Sequence, residues 1–133
     1  MLLCMRVLAL LLAAAGLAAA HHSFAAEYDD TKPVKLMGKI TKVEWMNPHV
    51  WYYVEVKDES GKTTTWALSG GAPGQLQRRG ITKDAIVVGA TVNVEGFRAK
   101  DGSNNAFGSR VVYEDGRSVF TAATDAYDPS TKK

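Results

Sequence analysis

Gly70-Gly71-Ala72-Pro73-Gly74-Gln75-Leu76-Gln77-Arg78-Arg79-Gly80 is the stretch on which the reading of the fold turns. Two glycines and a proline end whatever strand precedes them. Pro73 suits a first helical turn, because its ring presets φ and it has no N–H to leave unpaired. Arg78 and Arg79 fall at the negative end of the helix dipole, and Gly80 supplies the stop. The spacing therefore predicts a short helix through Gln75–Arg79. The glycines resemble a phosphate-binding loop in content only, since neither a Gly-Lys-Ser/Thr ending nor a preceding parallel strand accompanies them. Arg78 and Arg79 read as solvent-facing.

Upstream of the helix the pattern has period two. Val34, Leu36, Gly38 and Ile40 share one face of a first strand, with Lys35 and Lys39 on the other. Val43 and Trp45 break that parity, as a bulge or strong bend does. Asn47-Pro48 makes a turn. Val50, Tyr52, Val54 and Val56 then point inward from a second strand, and Trp51, Tyr53, Glu55 and Lys57 outward. Asp58-Glu59-Ser60-Gly61 is a hairpin loop into a third strand, about Lys62 to Ser69. Downstream, Val92, Val94 and Gly96 mark a fourth strand, Lys100–Ser103 a turn, and Phe107–Tyr113 a fifth. Asp115-Gly116 offers one more turn, into Ser118–Phe120.

Three strands, a short helix and two strands is the order of a small five-stranded barrel of the oligonucleotide/oligosaccharide-binding type, within a mainly all-β chain. A small antiparallel sandwich or an open meander is the alternative. The division expected is a cleaved signal peptide at 1–20, an N-terminal arm at 21–33, a β-barrel domain at 34–120 and a disordered tail at 121–133.

The signal is read from Arg6, the apolar run Val7–Ala15 and the small residues Ala18-Ala19-Ala20. The run is well short of the roughly 20 apolar residues that span a bilayer, so no membrane anchor is expected after cleavage. Cleavage after Ala20 takes away Cys4, the one cysteine, and leaves 113 of the 133 residues. An exported domain of that size without a disulfide must stand on its core alone. A bacterial periplasm fits this at least as well as a eukaryotic secretory route. Loss of Arg6 leaves 15 basic residues against 14 acidic, without a basic run, which argues against nucleic acid as a partner.

The three histidines are His21, His22 and His49. If cleavage exposes His21, its α-amine (unperturbed pKa about 7.7–8.0) and ring Nδ1 form a two-nitrogen chelate. A further imidazole completes a nitrogen-rich planar set, which places copper ahead of zinc. Met46, a soft ligand, lies three residues before His49. The contrary reading is a solvated terminus and a His49 that hydrogen-bonds within a turn. Cleavage one residue earlier leaves Ala20-His21-His22, which also binds Cu(II), through His22 in third place.

Trp45, Trp51 and Tyr53 form a second constellation near His49. Aromatic planes on such a barrel face can stack on a glycan or seat a partner protein. The competing expectation is that Trp45 and Trp51 pack against Phe24 or Tyr28 of the arm, which also draws His21 and His22 toward His49. No serine has a nucleophile-elbow context and no carboxylate pair stands out, so no enzyme is expected.

His21-His22-Ser23-Phe24-Ala25-Ala26-Glu27-Tyr28-Asp29 and Val43-Glu44-Trp45-Met46-Asn47-Pro48-His49-Val50-Trp51 resemble the small exported bacterial proteins grouped as domain of unknown function 6152. Gly71-Ala72-Pro73, Arg78-Arg79-Gly80 and the run Val94–Ser103 extend the resemblance over nearly all of the chain after Ala20. It implies a periplasmic protein of one domain and carries no activity with it.

Overall fold

The computed structural model describes residues 24–122. After a helical turn at 24–27 the order is β1 (Tyr28–Glu44), β2 (Trp51–Lys57), β3 (Thr63–Ser69), α1 (Pro73–Arg78), a 3-10 turn (Lys83–Ala85), β4 (Thr91–Ala99), β5 (Asn105–Tyr113) and β6 (Ser118–Phe120). The chain is mainly β. The strands form one sheet in the order β3-β2-β1-β4-β5-β6, and a further pairing of β3 with β5 closes five of them into a ring. Every pairing is antiparallel except β3 with β5.

β1 makes the ring possible, because its two halves serve different neighbours. Tyr28–Lys39 pairs with β4 and Lys39–Glu44 with β2. The register shifts between Ile40 and Lys42, which is the parity break expected near Val43. Such a bulge bends a strand sharply enough to serve two sheets. The alternation in β2 is as expected, with Val50, Tyr52 and Val54 fully buried.

The main core fills the ring with Leu36, Ile40, Val50, Tyr52, Val54, Trp66, Leu68, Leu76, Val92, Val94 and Val111 among others. Leu76 carries α1 into it and is completely buried. Pro73 opens the helix, and Gly80, at φ +80°, closes it with its N–H on the Gln77 carbonyl at 2.9 Å. At the centre the buried Tyr52 hydroxyl lies 3.1 Å from Thr121 Oγ1, which donates to the Gly108 carbonyl at 2.7 Å.

Several expected boundaries differ. The segment up to Pro33 was expected as an arm, but β1 begins at Tyr28, and Tyr28 stands opposite Ala99. Its polar residues hid the strand, since Asp29–Pro33 is largely exposed and shows no buried alternation. The tail was expected from Thr121, yet Thr121 and Ala122 are both fully buried, and their backbones bond to Ser109 and Gly71. A sixth strand, β6, pairs with the second half of β5 in addition to the five expected. Residues 1–20, expected as the signal, and 123–133, expected as the tail, lie outside the described residues.

A second apolar cluster sits on the outside of the ring. Tyr28, Phe97, Ala99, Phe107 and Ala122 form it, with Phe24 and Phe120 packed against them. Phe97 faces outward by simple alternation with Val92 and Val94, and Phe107 joins it because the β4–β5 register shift passes over Ser109, which turns Phe107 to the face opposite Val111.

Candidate functional site

His49 lies in the loop between β1 and β2, just after the cis Asn47-Pro48 bond. Its main chain runs into a closed backbone ladder: Val50 N–H donates to Gly71 O at 2.9 Å and Gly70 N–H to Val50 O at 2.8 Å. The imidazole folds over this ladder, placing Nδ1 3.2 Å from the Gly70 carbonyl oxygen. A carbonyl only accepts, so Nδ1 is the donor in this contact, and the neutral ring in that tautomer has its lone pair on Nε2. The residue as a whole is exposed. The same Nδ1–H to carbonyl arrangement orients metal-ligating histidines generally.

Trp45, Trp51 and Tyr53 do not form one surface. Trp45 follows the end of β1 and is partly buried against the main core. Trp51 and Tyr53 alternate with buried Val50, Tyr52 and Val54 and so face outward, both half-buried. Tyr53 is tied down locally. Its hydroxyl donates to Glu44 Oε2 at 3.2 Å, and Lys42 Nζ lies 5.5 Å from its ring centroid and 2.6 Å from Glu44 Oε1. The Lys42 ammonium is the chief cause holding the Glu44 carboxyl below its ordinary range.

A row of directly opposed residues links these positions around the ring. Glu44 faces Trp51, Trp51 faces Ser69, Ser69 faces Phe107, and Phe107 faces Phe97. Opposed residues share a face of the sheet, so Trp51 and Phe107 flank Ser69 on the outside.

The N-terminal segment docks on this row, although not where the tryptophans were expected to hold it. Phe24 meets Phe107 edge-on with centroids 5.0 Å apart, and Phe97 at 6.1 Å. Tyr28 lies 5.8 Å from Phe107, and its hydroxyl is close enough to Ser69 and Asn105 for both to act against the rise in its pKa. Burial is the main cause that raises the Tyr28 hydroxyl above its ordinary pKa. The Lys100 backbone donates to Glu27 O at 2.9 Å, and its Nζ donates to Ala25 O. Ser69 immediately precedes Gly70, the residue that orients His49.

Sequence reasoning missed Ser69, Gly70, Phe97 and Phe107 as parts of this region. The only signal in the sequence was the large apolar side chain of Phe97 out of phase with Val92 and Val94, whereas Phe107 is in phase with Val111 and gave none. His21 and His22 lie outside the described residues. Among the described residues no group of three or more His, Cys, Asp or Glu side chains could hold a metal ion. Among them also, no helix is long and apolar enough to cross a membrane.

Comparison with known proteins agrees with the sequence motifs that this region contains. The model of a family of unknown function, DUF6152, matches residues 9–108, which are 100 of the 133 positions. The chain belongs to the DUF6152 family. The DUF6152 match takes in the His49 loop, the Gly70-Gly71 turn, α1 and the Phe97–Phe107 pair, and ends within β5. No curated protein and no solved structure matches the chain.

Proposed function

We propose that this DUF6152 protein is exported to the bacterial periplasm, is cut after Ala20, and acts there as a binding protein without catalysis. Its ligand is copper(II), held by the α-amine and ring of His21, by His22 and by Nε2 of His49. The ring of strands is a barrel of the oligonucleotide/oligosaccharide-binding type. The strand circuit β1-β2-β3-β5-β4, the parallel closure of β3 on β5 and the helix between β3 and β4 support that fold.

The observation that carries the copper reading is the His49–Gly70 hydrogen bond, which orients the ring of an exposed residue through Nδ1. The docking of Phe24 supports it. Phe24 is three positions after His21, a reach of up to about 11 Å. Phe107 and His49 are two strand spacings and two residues apart, roughly 12 Å by ordinary sheet dimensions.

The test is N-terminal mass mapping of the exported protein, followed by Cu(II) titration of wild type and His49→Ala. Weaker binding in the variant is the expected result. Equal affinity confines the metal to the terminus and overturns the shared site.

Outward Trp51 and Tyr53 favour a second reading, in which this surface binds a protein or glycan partner. Trp51 belongs to neither apolar cluster, which leaves its exposed side for stacking. Loss of glycan-array or partner binding in Trp51→Ala, with Cu(II) affinity intact, is the result that favours it.

A further inference from the structure

α1 covers the end of the ring at which β3 stops, and Leu76 is buried beneath it. At the opposite end β2 turns into β3 and β4 into β5, and the inner face finishes on Trp66 and Arg98. Arg98 is in phase with the inward Val92 and Val94, and the centre of its guanidinium lies 5.3 Å from that of the Trp66 ring. Trp66 is buried, whereas Arg98 is half-buried.

This cation has no carboxylate beside it. Among the described residues Arg98 enters no ion pair. The aspartates of the two adjoining turns are engaged locally, Asp58 with Ser60 and Lys62 and Asp101 with Ser103. A guanidinium carries five N–H donors and no acceptor. Nη2 donates to the Gly102 carbonyl at 2.9 Å, but Nε lies out of water with no acceptor. A buried donor left in that state costs free energy, and more so when it is charged.

We propose that Arg98 and Trp66 form a binding site for a small monocarboxylate with an apolar body. The proposal goes beyond the copper and glycan readings and depends on neither. A carboxylate supplies the negative charge and the acceptors that the guanidinium lacks, and its two oxygens match the planar fork. The half-shielded setting makes that attraction stronger than it is in bulk water. A phosphate dianion fits less well, because a single cation offsets only part of its charge. The surroundings are apolar as well. Val34 and Val56 pack half-buried against the main core at this end, and Thr64 stands opposite Val56.

The experiment uses the full exported and processed chain, with sodium hexanoate as the probe and inorganic phosphate and hexanol as controls. Nitrogen–proton NMR follows the Arg98 Nε–H signal during each titration. Hexanoate is expected to shift it to saturation, and the two controls to leave it in place. Arg98→Lys keeps the charge but loses the fork, and should bind hexanoate about tenfold more weakly or worse, the loss of one charge-assisted hydrogen bond. Arg98→Gln, which also loses the charge, should bind more weakly still. A wild-type signal unmoved by hexanoate overturns the site and leaves Arg98 as a stopper of the ring. An equal response to phosphate means an adventitious ion only, and also overturns it. Unchanged hexanoate affinity in the folded Arg98 variants places the binding elsewhere, with the same consequence. The wild-type titration decides by itself, so the test survives a variant that fails to fold.

Discussion

His49 Nδ1 lies 3.2 Å from the carbonyl oxygen of Gly70, so the loop after β1 is oriented by the backbone that leaves β3. The ring nevertheless stays at the surface. Substitution of His49 by Ala should therefore cost about 1 kcal/mol or less, the usual net value of one hydrogen bond near water. Urea denaturation of the metal-free protein checks this. A loss above about 2 kcal/mol makes His49 a structural residue and removes its value as a clean probe of the site.

Phe97 and Phe24 belong to the same outer cluster but differ in burial, Phe97 being only 1% exposed and Phe24 half-buried. Phe97→Ala should destabilise by about 3–5 kcal/mol, as removal of a buried ring does. Phe24→Ala should cost clearly less, because water can fill the space it leaves. Chemical denaturation of both variants measures the difference. Equal losses show that the outer cluster is part of the cooperative core.

Tyr52 and Gly108 meet with no room to spare, since a Cβ on Gly108 would lie 2.0 Å from the Tyr52 hydroxyl oxygen. Gly108→Ala should thus overpack the centre and cost about 1–3 kcal/mol or more. Tyr52→Phe removes only the hydroxyl and leaves Thr121 donating to Gly108 O, for a loss of about 1 kcal/mol. Thermal unfolding of the two variants orders them. A Gly108→Ala protein as stable as wild type shows that the Tyr52 ring moves freely.

Four aspartates make the stability sensitive to acid. The Ser60 hydroxyl, together with the Ser60 and Lys62 amides, holds the Asp58 carboxyl below its ordinary range. Ser103 does the same for Asp101, Thr31 for Asp29, and the Arg117 amide and side chain for Asp115. A carboxyl with a depressed folded pKa stabilises above its unfolded value, near 3.9, and loses that contribution as pH falls through the folded value. Stability should accordingly fall below about pH 4. Denaturation midpoints at pH 6 and pH 3 test this, and Asp58→Asn should flatten part of the difference. An unchanged midpoint at pH 3 contradicts it.

Much of the ring was legible because its inner face is apolar and alternates. β2 shows this most clearly, with Val50, Tyr52 and Val54 inside and Trp51 and Tyr53 outside. Pro73 and Gly80 bound α1 through their own backbone preferences, which act locally. Tyr28–Pro33 was not legible as strand, because its pairing partner is β4 and its own side chains are polar. The arm's docking site was hidden for a related reason. Phe97 and Phe107 are brought together by pairing across β4 and β5, after a register shift that no local pattern announces.

By itself the sequence determined the all-β class, the order of most elements and membership of the family, since each rests on local periodicity or on motifs that lie within a few residues. It also marked His49 as a residue of interest. Only the tertiary structure decided that β3 closes on β5, that Phe24 and Tyr28 pack on Phe107 rather than on Trp45, and that Gly70 orients His49. Those contacts join residues 21 to 83 positions apart. They form only when register and bulges bring distant backbones to hydrogen-bonding distance, and that is a property of the assembled sheet.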